Sequence, residues 1–295
     1  MLNTHPEIVM RNEGWFLNDL GCSAEQWLDE AAFRVWAELG SSKGTWLAGT
    51  TTEEAVTIAQ RAMVEAIMRH SAAKDTWKKP DAVRWIGDKT TTHYTAKIDT
   101  LFRLFPPPEA RFLCMVRDGR DVVVSDHFMR LRDRDFNAYP GAGPEDARRA
   151  YAKYYENAAA APDCPFFTED TLAMLLDNWA RSIKGGLRAR ELYKDAAYEV
   201  KYEALVEKPH LLKGLLEFLD VKSDDGTVAW IVDTCRFERF AEGRKRGEAN
   251  LNSEYRKGVI GDWRNYFTDR DKDQFKQSEA GRLLIELGYE SSGAW

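Results

Sequence analysis

The stretch Ala110-Arg-Phe-Leu-Cys-Met-Val-Arg117-Asp-Gly-Arg-Asp-Val-Val-Val-Ser125-Asp-His-Phe128 decides the fold. Phe112 to Val116 is an apolar run short enough for a buried strand. Arg117-Asp118-Gly119-Arg120-Asp121 interrupts it as a polar turn with a glycine hinge. Val122, Val123, Val124 and Phe128 then resume an apolar face that suits a helix packed back on the sheet. Strand, turn and helix in this order are where open α/β sheets take ligands, and helix N-termini favour anions. Arg117 at the strand tip and Ser125 eight residues on are therefore candidates to converge on one phosphate. A surface charge cluster at a sheet edge explains the same turn, and the turn alone leaves both readings open.

A second stretch, Tyr255-Arg256-Lys257-Gly258-Val-Ile-Gly261-Asp262-Trp263-Arg-Asn265-Tyr-Phe267-Thr268, bears on the choice. It resembles the signature of the sulfotransferases that use 3'-phosphoadenylyl sulfate, Arg-Lys-Gly-x-x-Gly-Asp-Trp-Lys-Asn-x-Phe-Thr. The chain departs from it only in having Arg264 for Lys. The segment from Arg117 to Ser125 looks like the same family's 3'-phosphate motif. Two such motifs in the right order are more specific than either alone, and the likeness runs from about Asn3 to the C-terminus.

The resemblance implies an α/β fold, a three-layer P-loop-like parallel sheet flanked by helices. It implies a single domain over residues 1–295, with a possible acceptor-side insertion at 130–170. Arg117, Ser125, Arg256, Lys257 and Gly258 are then expected at the 3'-phosphate. Tyr202, in Val200-Lys-Tyr202-Glu203, resembles the tyrosine on the donor's adenine side. Phe237 matches the aromatic that packs on adenine, although a core role accounts for it equally well.

Apolar residues make up 44% of the 295 and charged ones 31%, the balance of an ordinary globular protein. A net charge of −6 argues against a general binder of nucleic acids or anionic membranes. An acidic protein that takes a polyanionic donor must gather its basic residues locally, and Arg244, Lys245, Arg246, Arg256 and Lys257 fall close together. The four cysteines show neither metal-ligand spacing nor a paired framework, so a reducing, cytoplasmic setting is the default. Cys114 reads as a small hydrophobe in a buried strand. No run reaches the length of a membrane span, and no cleavable signal is visible.

The beginning is unusual. In the related sulfotransferases a phrase like Leu-x-x-His-Pro-x-Ile closes a helix that follows a Gly-x-Pro-Arg-Ser-Gly-Thr-Thr loop. That loop holds the donor's 5'-phosphosulfate through backbone N–H groups and a basic side chain. Here Leu2-Asn-Thr-His5-Pro6-Glu-Ile8 opens the chain. The first strand and its phosphate loop are therefore expected to be missing, through a misplaced start, a truncation or a natural loss of donor activation. Such a loss would leave neighbouring strands unpaired. A leader or anchor ahead of Met1 stays open for the same reason. Gly40-Ser-Ser-Lys43-Gly44-Thr45 has the right residue types, but it follows a helix-like segment and lies on the wrong side of the His-Pro phrase.

Glu13 matches the glutamate proposed as general base in the tyrosylprotein branch, and a hydroxyl acceptor needs such a base. An exposed loop carboxylate is the other reading. Asp88-Lys89-Thr-Thr-Thr-His93-Tyr94 resembles the family's Glu-Lys-Thr-Pro-x-His/Tyr phrase, with Asp for Glu and Thr for Pro. Lys89 would neutralise charge on the sulfuryl group in flight. His93 is a weaker catalytic candidate, because the cytosolic members' histidine aligns with Thr91; a capping or acceptor-side role also fits it. His127 reads as a helix residue without chemistry. Helices are expected over Cys22 to Leu39, Thr51 to His70, Tyr94 to Phe105, Glu145 to Ala161, Thr171 to Tyr193, Lys208 to Leu219, Asp224 to Phe240 and Lys272 to Leu287. Strands are expected at Val83 to Gly87 and from Ala197 onward. Tyr151, Tyr154 and Tyr155 could cap an acceptor, although packing on the domain accounts for most of them.

The leading expectation is a transferase moving a sulfuryl group from 3'-phosphoadenylyl sulfate to a hydroxyl or amine, releasing adenosine 3',5'-bisphosphate without a metal. The acceptor would be a small molecule, carbohydrate or peptide, with no nucleic acid as partner; the oligomeric state is not legible. A catalytically incomplete nucleotide-binding relative is the alternative. A P-loop kinase-like enzyme is further off, since Gly-x-x-x-x-Gly-Lys-Ser/Thr is absent from the chain.

Overall fold

A computed structural model describes residues 1–12, 48–75, 77–89, 98–134, 143–157, 159, 161 and 163–295. They divide into two compact units. One comprises Met1–Cys114, Lys184–Val200 and Lys208–Asp233; the other Met115–Ile183, Lys201–Glu207 and Thr234–Trp295. The helix expected over Cys22 to Leu39, the Gly40 to Thr45 segment, Glu13 and His93 lie outside the described residues.

In the first unit, β1 (Ile8–Asn12) pairs parallel with β2 (Trp85–Lys89), in the register Ile8 to Trp85 through Asn12 to Lys89. Parallel strands require a crossover, and α1 (Thr52–Ala72) lies within it. The Thr51 side chain accepts from Glu54 N–H, and the Glu54 carboxylate accepts from the Thr51 N–H in return, so this helix starts on a capping box. The His-Pro phrase ends a short 3-10 turn and hands the chain to β1. His5 is buried; its Nδ1 accepts from the Glu7 N–H at 3.1 Å, which leaves Nε2–H to donate to the Lys222 carbonyl at 2.8 Å. Arg11 fastens the far end of β1 to α1, donating to Asp75 at 3.0 and 3.1 Å and to the Ser71 carbonyl at 2.7 Å. Buried Lys78 donates to the Asn3 and Ile8 carbonyls from below, and burial pulls its pKa down to about 8.

The expected strand at Val83 to Gly87 sits two residues later, because pairing of Trp85 with Ile8 sets the register where local propensity does not. Trp85 Nε1 donates to the Leu219 carbonyl at 2.7 Å, and the Arg111 guanidinium lies 5.1 Å from the Trp85 ring centroid and 5.3 Å from that of Phe218. Of the helix expected over Tyr94 to Phe105, the described residues show α2 (Ile98–Leu104). Strands β3 (Phe112–Val116) and β4 (Ala197–Lys201) form a second pair. Cys114 packs against Gly186 and burial pushes its thiol up to about 11, as befits a small hydrophobe. Tyr202 opens a helix of its own rather than extending the strand.

The second unit is built around α3 (Gly119–Arg132), α4 (Gly143–Tyr151), and α5 (Glu169–Tyr193) as far as Ile183. It also holds α6 (Tyr202–Glu207). Gly119 lies flat on Trp179: a Cβ there would stand 2.7 Å from the indole. In the first unit, the helix expected over Lys208 to Leu219 shortens to α7 (Leu212–Phe218), preceded by a 3-10 turn at Pro209–Leu211. The helix expected over Asp224 to Phe240 is two, α8 (Asp225–Thr234) and α9 (Phe237–Phe240), parted at Cys235-Arg236. The closing helix is likewise two, α10 (Asp269–Gln277) and α11 (Glu279–Glu286). Ser278 Oγ donates to the Phe275 carbonyl at 2.7 Å, the local hydrogen bonding by which serine competes with a helix. Glu145 to Ala161 shortens to α4 and a π turn at Ala152–Glu156. There the rings of Tyr151 and Tyr155 stack at 5.1 Å, and the Tyr155 hydroxyl lies 3.0 Å from both the Phe128 and Leu251 carbonyls.

His127 packs edge-on against Phe166, and burial drags its pKa down to about 3. Unfolded imidazole takes a proton near pH 6.5, whereas the folded one stays neutral until about pH 3. The unfolded state therefore binds more protons between these values, and His127 removes stability as the pH falls through that window. Denaturant midpoints at pH 7 and pH 5 should diverge in the wild type. The difference should shrink in H127L by up to about 1.4 kcal/mol per pH unit. Equal pH slopes in the two proteins would contradict this assignment.

Candidate functional site

At the exit of β3, Asp118 caps α3: its carboxylate accepts from the Arg120 N–H at 2.9 Å. The Asp118 N–H donates to Glu203 of α6 at 2.9 Å, which fixes the turn against the residue after Tyr202. Arg117 is thereby held with its guanidinium carbon 4.7 Å from the centroid of the Tyr202 ring. Its Nε is buried and lacks a hydrogen-bond partner among the described residues. A buried donor left in that condition is costly unless an acceptor arrives. Ser125 is half-buried and lies six residues past Gly119, about 9 Å along the helix axis, so it is offered from the helix flank rather than its first turn.

Arg120 has other partners. It forks onto Asp118 at 2.7 Å, pairs with Glu290, and is sandwiched between Trp263 at 4.3 Å and Trp295 at 4.5 Å. Asp121 is also buried. Its Oδ2 accepts from the Gly261 N–H at 2.7 Å and its Oδ1 from the Trp263 N–H at 3.0 Å. Burial pushes the Asp121 carboxyl up in pKa, opposed by these two N–H donors and by the nearby Arg117 charge.

These bonds bring the second motif to the first. Gly258 is left-handed, at φ +66, and Phe237, the buried first residue of α9, lies against it. Arg246 donates to the Gly258 carbonyl at 2.5 Å and stands 5.2 Å from the Phe237 ring centroid. Arg256 lies 4.5 Å from the Phe128 ring centroid, on α3 itself. Arg117, Ser125, Tyr202, Phe237, Arg256, Lys257 and Gly258 all belong to the second unit.

Two basic residues expected at the phosphate have another partner here. Arg256 donates to Asp262 at 2.6 Å and Lys257 to the same carboxylate at 2.7 Å, with Asn265 adding a third bond at 2.8 Å. The Asp262 carboxyl falls below its ordinary pKa because these donors outweigh its burial. Arg244 spends its guanidinium on the carbonyls of Glu248, Tyr255 and Arg256, which holds the loop's shape. The basic cluster read from the sequence is thus in large part a scaffold for the loop. Lys89 ends β2 in the first unit, beside Asn12, the residue before Glu13.

Asp121 and Asp262 escaped the sequence reading. Asp121 had an adequate local explanation as a first-turn acid, which suits any helix N-terminus. Asp262 lay in view five and six residues beyond Lys257 and Arg256, but spacing alone does not pair them.

Strand, turn and helix here carry an arginine whose Nε lacks a partner among the described residues, in the unit that also holds the left-handed Gly258. The family model of the sulfotransferase family matches residues 1–225 of the 295, and the chain belongs to that family. Its β1 and β2 pair in parallel across a crossover that holds α1, an α/β arrangement. The match ends before Tyr255, so the second motif is additional to it. Mouse sulfotransferase 1B1 is 26% identical over 188 residues, covering 60% of this chain and 56% of that protein. Human sulfotransferase 1C2 is 22% identical over 190 residues, covering 59% and 56%. The chain thus spans about half the length of these curated relatives. Among solved structures, mouse sulfotransferase SULT7A1 complexed with PAP is similar over 69% of this chain and 70% of that one. Its identity is 20% and its TM-score 0.43. Retinol dehydratase in complex with androsterone and the inactive cofactor PAP is similar over 95% and 81%, at 15% identity and TM-score 0.44. Family membership sets aside the kinase-like reading. No helix among the described residues is long and apolar enough to cross a membrane.

Proposed function

We propose that the protein transfers a sulfuryl group from 3'-phosphoadenylyl sulfate to a hydroxyl or amine. An acceptor oxygen or nitrogen attacks sulfur, the bond from sulfur to the phosphate oxygen breaks, and adenosine 3',5'-bisphosphate leaves with that electron pair. The acceptor's proton passes to Glu13. Lys89 offsets charge on the transferring group, and His93 serves the acceptor side. Such transfer asks mainly for positioning and cations, and this reading needs no metal. Arg117, Ser125 and the Gly258 loop hold the 3'-phosphate, Arg256 and Lys257 shape that loop through Asp262, and Tyr202 and Phe237 face the adenosine. The proposed acceptor is a small molecule, carbohydrate or peptide, and the proposed setting is cytoplasmic, with the whole chain acting as one domain.

The observation that carries this is the buried Arg117 Nε, without a partner among the described residues, in the unit that also holds Gly258. Calorimetric titration with adenosine 3',5'-bisphosphate followed by a radiolabelled donor assay tests it. Saturable binding and transfer of label are expected. Binding without transfer would favour the catalytically incomplete alternative, and absence of binding would overturn both.

A further inference from the structure

A carboxylate in the first turn of a helix ordinarily satisfies amides of its own helix or the helix dipole. Asp121 takes both of its backbone hydrogen bonds from elsewhere. Its two oxygens are given to backbone N–H groups 140 and 142 residues away, and the residue is 97% buried. Charge-assisted bonds from two amides to one buried carboxylate make a short, directional link. Its two ends matter. Asp121 stands four residues beyond Arg117, and Gly261 stands three beyond Gly258. Among the described residues, the Phe237 ring and the Arg246 hydrogen bond at Gly258 run within the loop and to α9.

We infer that Asp121 is a positioning residue for the 3'-phosphate subsite, holding the Gly258 loop at the separation from Arg117 that a ribose 3'-phosphate requires. The inference rests on the donor-nucleotide reading above and adds to it a residue that touches no substrate. A charged phosphate gripped from two sides is sensitive to a small misplacement of either side. A nucleotide without a 3'-phosphate is not.

D121N separates this from a general structural role. Its amide keeps one acceptor and turns an NH2 toward the second backbone N–H, so one link is lost and two donors face each other. The probes are adenosine 3',5'-bisphosphate and adenosine 5'-monophosphate, which differ only in the 3'-phosphate. The ratio of their affinities should fall by about tenfold or more in D121N, while the monophosphate affinity stays within about threefold. An unchanged ratio, or an equal loss for both probes, would overturn the inference. Circular dichroism checks the fold; should D121N not fold, D121E keeps both acceptors on a longer arm, and the same ratio must fall in it by a smaller factor. An unchanged ratio in D121E would equally overturn the proposal. A wild type that binds both probes alike, or neither, removes the donor-site reading and this inference together. A wild type that discriminates beside a variant that discriminates equally removes this inference alone.

Discussion

Replacing Gly258 with alanine is expected to destabilise the second unit and abolish measurable binding of adenosine 3',5'-bisphosphate. Two effects add at this position. A non-glycine residue held at φ +66 costs roughly 1–2 kcal/mol in backbone strain. The new Cβ would also stand 2.5, 2.6 and 2.9 Å from three carbons of the Phe237 ring. That ring is buried and cannot swing aside freely, so overpacking adds about 1–3 kcal/mol. Gly243→Ala is the control: φ is +86 there, but no atom lies within 4 Å of the added methyl, so only the backbone part applies. Thermal melts of the two variants, with bisphosphate titrations alongside, measure the difference. A G258A protein with the melting temperature and affinity of G243A would show that the Phe237 contact does not constrain the loop.

Arg117→Ala is expected to leave the fold intact and weaken the bisphosphate by about 1.5–3 kcal/mol, between tenfold and somewhat over a hundredfold. The guanidinium has its Nε without a partner among the described residues and lies over the Tyr202 ring, and the Asp121 carboxylate that feels its charge keeps its two backbone N–H donors. Little stability should therefore be lost. Arg117→Lys should recover only part of the affinity, because a point charge replaces a planar fork. Calorimetry against the bisphosphate reads both variants. Wild-type affinity in R117A would place the 3'-phosphate elsewhere.

Much of the frame was legible in the sequence because it is written locally. The apolar run at Phe112 to Val116, the polar turn with its glycine hinge and the valine-rich face together announced β3, its turn and α3. The stretch from Thr51 to His70 announced α1 in the same way. Breaks within a continuous apolar stripe were not legible. The pattern from Lys272 to Leu287 satisfies one helix or two bent ones, and only the Ser278 hydrogen bond decides. The limits of β2 depended on its partner strand, and a partner's register is tertiary information. In the candidate site, Arg117 and Gly258 were legible as motif positions. The counter-charge on Asp262 was not, and it alters the part Arg256 and Lys257 play: their cationic groups brace the loop through that carboxylate. The tie from Asp121 lay furthest from reach, since nothing within 140 residues hints at its acceptors' destination.

Because Asp121 grasps amide hydrogens, it is blind to what projects from the residues it holds. Every residue type but proline supplies the same hydrogen at position 263, so mutation could rewrite that side chain while the latch stays shut. Position 263 could therefore change its side chain widely without loosening this tie, whereas the left-handed Gly261 could not.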